Sequence, residues 1–98
     1  MDNDEEEKRY VGIDIGKSRC RACIIDKKGF VVDEFNFENS HDGIDSLIAK
    51  LCIYDRVVME STGNLWVNIY DKLEADGIQC TLANPMKTKA IASARIKS

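Results

Sequence analysis

The sequence predicts an α/β domain built on a mixed five-stranded sheet, in the element order βββαβαβα. Two observations lead to this. Between residues 9 and 37, apolar and polar residues alternate in three short runs separated by Gly-containing turns. From residue 40 onward the apolar period becomes helical, and helical stretches then alternate with short apolar strands. An antiparallel meander followed by βα units gives a mixed sheet with helices on both faces. Right-handed crossovers place the fourth strand beside the first.

The elements follow in order. Residues 9–16 (RYVGIDIG) set Val11, Ile13 and Ile15 against Tyr10, Gly12, Asp14 and Gly16, a period of two. Residues 19–26 (RCRACIID) form a second strand, and Lys27-Lys28-Gly29 is its hairpin turn, with Gly supplying a positive φ. Residues 30–37 (FVVDEFNF) form the third strand. Ser40 is placed as an N-cap. Ile44, Leu47, Ile48 and Leu51 then make one apolar stripe on a helix over 41–52. Arg56–Glu60 (RVVME) is a short, nearly continuous apolar strand of the kind buried on both faces. A second helix is expected at about 64–76, ended by Gly77 as a C′ residue, followed by a strand over 78–83. Asn84-Pro85 opens a last helix, with Pro in its first turn.

Composition limits the function classes. With 98 residues, 44% of them hydrophobic and 32% charged, the chain has the makeup of one small globular domain. No apolar run approaches the roughly 18 residues of a membrane span, and the acidic start is not a signal peptide. The expected location is cytoplasmic, with no membrane partner. The net charge of −3 arises in residues 1–9, which hold five acids and two bases; the rest is neutral. Residues 1–8 are expected to be a disordered acidic tail, and 9–98 the folded domain. The last fifteen residues carry Lys87, Lys89, Arg95 and Lys97 and no acid. Such a segment is either a phosphate-contacting helix or a solvated face. Cys20 and Cys23 form a C-x-x-C on a strand, where residues three apart face opposite sides, so they cannot hold one zinc or close a redox loop. Four buried free thiols in a reducing compartment is the expected state.

Two acids stand out. Asp14 lies inside an apolar strand, where an unpaired carboxylate is costly. Gly12 and Gly16 flank it and leave its face open to a metal ion or phosphate. Glu60 ends the apolar strand Val57–Glu60. If that strand lies beside the first, the two carboxylates are neighbours that repel unless they share a cation or proton. Oxygen donors without His or Cys favour Mg²⁺ or Mn²⁺. The plainer alternatives are a structural Asp14 paired with a buried Arg, and a Glu60 that meets solvent or caps the next helix. Ser61-Thr62-Gly63-Asn64 opens that helix and presents N–H groups suited to a phosphate; simple capping by Thr62 or Asn64 is the alternative. Lys17 is either a phosphate contact or a turn lysine. Trp66 and Tyr70 fall on the apolar stripe and belong to the core. His41 is a surface residue, and Ser61 and Thr62 lack a His base for nucleophilic work.

With these residues in view, the chain resembles the DEDD transposases of the insertion-sequence-110 family and the related pilin-gene invertases. The matching pieces are VGIDIGKSRCRACIID at 11–26, VVMESTGNLW at 57–66 and ANPMKTKAIASARIKS at 83–98. G-I-D-I-G alone is weak. Joined to M-E-S-T-G about 45 residues on, and to N-P at the next strand end, it is specific. The resemblance implies an RNase H-like, RuvC-like fold and four acids, D-E-D-D, that bind Mg²⁺ or Mn²⁺. Asp14 matches the first acid and Glu60 the second. Two aspartates of a K-T-D-x-x-D-A-like stretch would follow Ser98. It further implies metal-dependent DNA strand cleavage and rejoining in a homo-oligomer. The attacking oxygen comes from a serine of another domain, and some members are guided by an RNA. DNA contacts are then expected at Lys17, Thr62, Asn64, Lys87, Lys89, Arg95 and Lys97. With at most half of the ligands, the 98-residue chain is expected to fold without cutting DNA; robust Mg²⁺-dependent nuclease activity would overturn that.

Two alternatives compete. A sugar kinase or other actin-like ATPase shares the βββαβα core and a strand–Asp-x-Gly–hairpin phosphate loop. It would bind ATP, and it fits poorly with Glu-Ser-Thr-Gly closing the fourth strand. A non-catalytic interaction module of the same fold would keep its partner binding after Asp14→Ala.

Overall fold

The computed structural model describes residues 8–60 and 63–83. Three strands come first: β1 (Arg9–Ile15), β2 (Arg19–Asp26) and β3 (Val31–Glu38). Helix α1 (His41–Ala49), strand β4 (Arg56–Glu60), helix α2 (Val67–Ala75) and strand β5 (Gln79–Ala83) follow. The sheet order is β3-β2-β1-β4-β5. β1–β2 and β2–β3 pair antiparallel, whereas β1–β4 and β4–β5 pair parallel. The expected mixed α/β sheet is therefore present, with strand four beside strand one. The expected acidic tail over 1–8, apart from Lys8, and the helix from Asn84 lie outside the described residues.

Period-two patterning makes the layers. Val11, Ile13 and Ile15 on β1 align with Ile24, Ala22 and Cys20 on β2 and with Val57 and Met59 on β4, and all are buried. Ile44 and Leu47 of α1 and Ile69 and Leu73 of α2 complete this one cluster. Both described helices thus cover the same sheet face. Each fully buried Leu, Ile or Met there contributes about 1.5–3 kcal/mol. The opposite face, among the described residues, carries Tyr10, Gly12, Asp14, Arg56, Val58 and Glu60, all exposed. The fourth strand, expected to be buried on both faces, here alternates, with Val58 49% exposed.

Local chemistry moves several boundaries. The β2–β3 turn is organised by Asp26, whose Oδ1 accepts the Lys28 and Phe30 amides, with Gly29 at φ 94°. Phe30 belongs to this turn rather than to β3. Ser40 caps α1 by accepting the Gly43 amide at 3.1 Å. Gly43 itself lies against the backbone of Glu38, where a Cβ would collide. The first helix stops at Ala49, three residues short of the expectation, because the chain turns at Cys52–Asp55. The second starts at Val67, after a turn through Gly63 (φ 63°), with no side-chain cap at Trp66. It ends as expected at Gly77: Gly77 N–H donates to the Glu74 carbonyl and Ile78 N–H to that of Leu73, with Ile78 and Leu73 both buried. Trp66 and Tyr70 pack edge-to-face, 5.6 Å apart, against the core.

Candidate metal centre at the carboxyl edge of the parallel strands

The parallel strands β1, β4 and β5 bring their carboxyl ends to one edge of the sheet, which is where ligands gather in open α/β folds. Asp14 stands one residue from the end of β1 and Glu60 ends β4. The pairing register sets them opposite each other, Asp14 against Glu60. Both are exposed and lie on the face away from the described helices. Adjacent strands are about 4.8 Å apart, so the two residues stand level with each other on neighbouring strands.

The cation nearest in register does not neutralise them. Arg21 is the β2 partner of Asp14, but its guanidinium turns the other way. It contacts Glu34 Oε2 at 2.8 Å and Asn36 Oδ1 at 3.3 Å on β3. Among the described residues neither the Asp14 nor the Glu60 side chain has a hydrogen-bond or ion-pair partner. Two paired oxygen donors without a counter-charge suit a hard divalent cation. Gly12 opens the same face, since a Cβ there would meet nothing within 4 Å. Gly16 has a different reason to be glycine. A Cβ there would lie 2.5 Å from the Arg19 carbonyl oxygen, across the tight β1–β2 turn.

The remaining expected residues divide. Lys17 is exposed in the β1–β2 turn, within three residues of Asp14. Asn64 is exposed in the turn before α2, so it is not the N-cap of that helix, and the helix begins at Val67 rather than at about 64. Ser61, Thr62, Lys87, Lys89, Arg95 and Lys97 lie outside the described residues. Cys20 and Cys23 fall on opposite faces, and all four cysteines are free, but only Cys20 is buried where all four were expected to be; Cys23, Cys52 and Cys80 are half-buried. Burial pushes the Cys80 thiol up to about 11, with Glu74 adding to the shift.

Sequence reasoning missed three residues that shape this edge and its far end. Asn39 donates through Nδ2 to the Leu65 carbonyl at 3.2 Å and more distantly to that of Gly16 at 3.5 Å, linking the turns that follow Asp14 and Glu60. Arg9 and Asp55 form a forked ion pair at the other end of β1 and β4, 2.8 Å through Nε and 2.7 Å through Nη2. Asp55 is fully buried and also accepts the Cys52 amide at 2.9 Å and the Cys52 thiol at 3.3 Å. Burial opposes its ionisation, but the Arg9 fork and the Cys52 donors outweigh that and hold its carboxyl below the ordinary range. The available signal was one acid, Asp55, at the entry of an otherwise apolar strand.

A second acidic group, His41, Asp42 and Asp45, places ligand atoms within 4.8 Å of one another on the surface. Lys72 Nζ already sits 2.8 Å from Asp45 Oδ1 and 3.4 Å from His41 Nδ1. That ammonium supplies the countercharge and lowers the Asp45 pKa. The group is accounted for as a surface ion network, as expected for His41.

Comparison with known families decides between the readings. The DEDD transposase family of insertion sequence 110, described as Transposase, matches residues 11–98. The chain belongs to that family. No curated protein sequence matches this transposase domain. Its fold is similar to that of Archaeoglobus fulgidus Pelota, with a TM-score of 0.57 and 16% identity over 83% of this chain and 28% of that one. A Ppx/GppA family protein of Aquifex aeolicus aligns with a TM-score of 0.44 and 18% identity over 80% of this chain and 35% of that one. The transposase domain thus spans about a third of the length of these solved structures, and the likeness concerns the fold. Among the described residues, no helix is long and apolar enough to cross a membrane.

Proposed function

We propose that residues 9–98 form a catalytic-domain portion of a DNA transposase or site-specific recombinase, and that Asp14 and Glu60 are two of its metal ligands. The observation that carries this reading is the Asp14–Glu60 pair, opposite each other on the open face without a countercharge. Burial of a structural carboxylate would call for a partner such as the one Asp55 has. These two acids have none among the described residues, and two adjacent anions on a rigid sheet attract a cation.

Mg²⁺ or Mn²⁺ held there would supply Lewis-acid activation and charge stabilisation for phosphoryl transfer in DNA cleavage and rejoining. The protein's own part is to fix the carboxylates on neighbouring strands and to keep Arg21 occupied with Glu34 and Asn36. Lys17, in the adjoining turn, and Asn64, after β4, are positioned to meet a DNA backbone passing the edge. The basic residues Lys87, Lys89, Arg95 and Lys97 follow β5 in sequence, and in this reading they add to the phosphate-binding charge. DNA is the macromolecular partner in this reading.

The test is Mn²⁺ binding by the 98-residue chain, followed by electron paramagnetic resonance, beside DNA strand transfer by the full-length protein. Asp14→Asn and Glu60→Gln are each expected to weaken Mn²⁺ binding at least tenfold and to reduce strand transfer by a factor of 10² or more. Unchanged binding in both variants would remove the metal-site reading.

A further inference from the structure

The two ends of the β1–β4 pair are in the same register. Arg9 precedes Asp14 by five residues, and Asp55 precedes Glu60 by five. The ion pair joins residues separated by 46 in sequence, the same offset that pairs Asp14 with Glu60. Arg9 and Asp55 lie in phase with the buried Val11, Ile13, Val57 and Met59, and the two acids lie on the opposite face.

Apolar patterning alone cannot set this register. A slip of one residue would turn Val57 and Met59 to the open face and is strongly disfavoured. A slip of two keeps the buried set on the core face but sets Asp14 opposite Val58 instead of Glu60. The hairpin turns fix β1, β2 and β3 relative to one another, since each turn is short and local. β4 arrives after a crossover through α1, and no tight turn fixes its position along β1.

We propose that the Arg9–Asp55 ion pair is the register lock of the β1–β4 pair, and that it acts as a positioning device for the Asp14–Glu60 site. Asp55 is a fully buried charge whose one cationic partner among the described residues is Arg9, so a two-residue slip would separate them and leave an uncompensated carboxylate in the core. Arg9 Nη2 also donates to the Lys50 carbonyl at 3.2 Å, which ties the same fork to the end of α1, where the crossover leaves the helix. Setting register is the best-attested use of a buried ionic group. The consequence for the acid pair rests on the metal-site reading above; the lock itself does not.

The test replaces the pair by an uncharged one, Arg9→Met with Asp55→Asn, in the 98-residue chain. The Asn keeps an acceptor for the Cys52 amide. The lock predicts a folded variant whose β1 and β4 amide signals are doubled in two-dimensional NMR, with new cross-strand contacts two residues out of step. Mn²⁺ binding should weaken by the reciprocal of the native-register fraction, about twofold at equal populations. A single set of signals with the native Val11–Val57 contacts would overturn the lock. Arg9→Lys, which keeps the charge but not the fork, covers the case in which the double variant does not fold. There the lock predicts faster hydrogen exchange in β1 and β4 than in the β2–β3 hairpin, and an even rise throughout would overturn it. If wild type, Asp14→Asn and Glu60→Gln all bind Mn²⁺ equally, the metal-site reading fails while the NMR register still decides the lock.

Discussion

The two ends of the β1–β4 pair hold charge in opposite ways. At the amino end, Asp55 is buried on the helix-covered face and saturated: an Arg9 fork, a backbone amide and a thiol all point at it. At the carboxyl end, Asp14 and Glu60 stand together on the open face, and the one arginine in register with them is engaged elsewhere. A carboxylate that the fold needs comes with its partners. In the proposed reading, a bound cation supplies the countercharge that the described residues do not give Asp14 and Glu60.

The largest expected effect lies at the satisfied end. Arg9→Ala leaves Asp55 charged in the core and should cost about 3–5 kcal/mol of stability, read from urea unfolding midpoints. A loss below about 1 kcal/mol would mean that the pair behaves as a surface salt bridge, and the contrast between the ends would collapse. Acid probes the same group without mutation. Because the folded state holds Asp55 below the ordinary carboxylate range, its contribution is complete above the unfolded pKa of about 3.9. It is lost as pH falls through the lower folded value. Unfolding midpoints should therefore drop steeply below about pH 4, and Asp55→Asn should flatten that part of the profile.

Much of this was legible in the sequence, and the gaps have physical causes. Period-two runs and a switch to helical spacing determine strand count, order and core face, because burial enforces them residue by residue. The crossover rule put strand four beside strand one, and so brought Asp14 and Glu60 onto neighbouring strands, but it did not set the register within that pair. Helix ends were less legible: α1 ends early because Asp55 draws the Cys52 amide into a turn, and that contact depends on Arg9, 46 positions away. Long-range pairs of this kind leave no periodic trace. The exposed alternate residues of β4, such as Val58, were invisible for another reason: an apolar residue in a short strand reads as buried whichever face it is on.

The glycines on either side of Asp14 sharpen the contrast at smaller scale. Gly16→Ala pushes a methyl against the Arg19 carbonyl at 2.5 Å and should cost about 1–3 kcal/mol. Gly12→Ala meets open space and should gain about 0.5–1 kcal/mol, as expected for a strand interior. The sequence treats the two glycines alike, and thermal unfolding of the two variants separates a steric glycine from one that only keeps the site open. Equal destabilisation by both would show that the face over Gly12 is covered.

The smallest effect is expected at the acids themselves. Without metal, Asp14→Asn removes one of two adjacent like charges and breaks no contact among the described residues, so stability should change by no more than about 0.5 kcal/mol, in the stabilising direction. With Mn²⁺ at about a hundred times the wild-type Kd, wild type should gain about 2.7 kcal/mol and the variant, its binding weakened tenfold or more, at most about 1.4 kcal/mol. The same substitution at Asp55 is expected to be destabilising with or without the ion. A metal-independent loss on Asp14→Asn of the size seen at Asp55 would mean that Asp14 is a second structural carboxylate, and the two ends of the strand pair would no longer differ in kind.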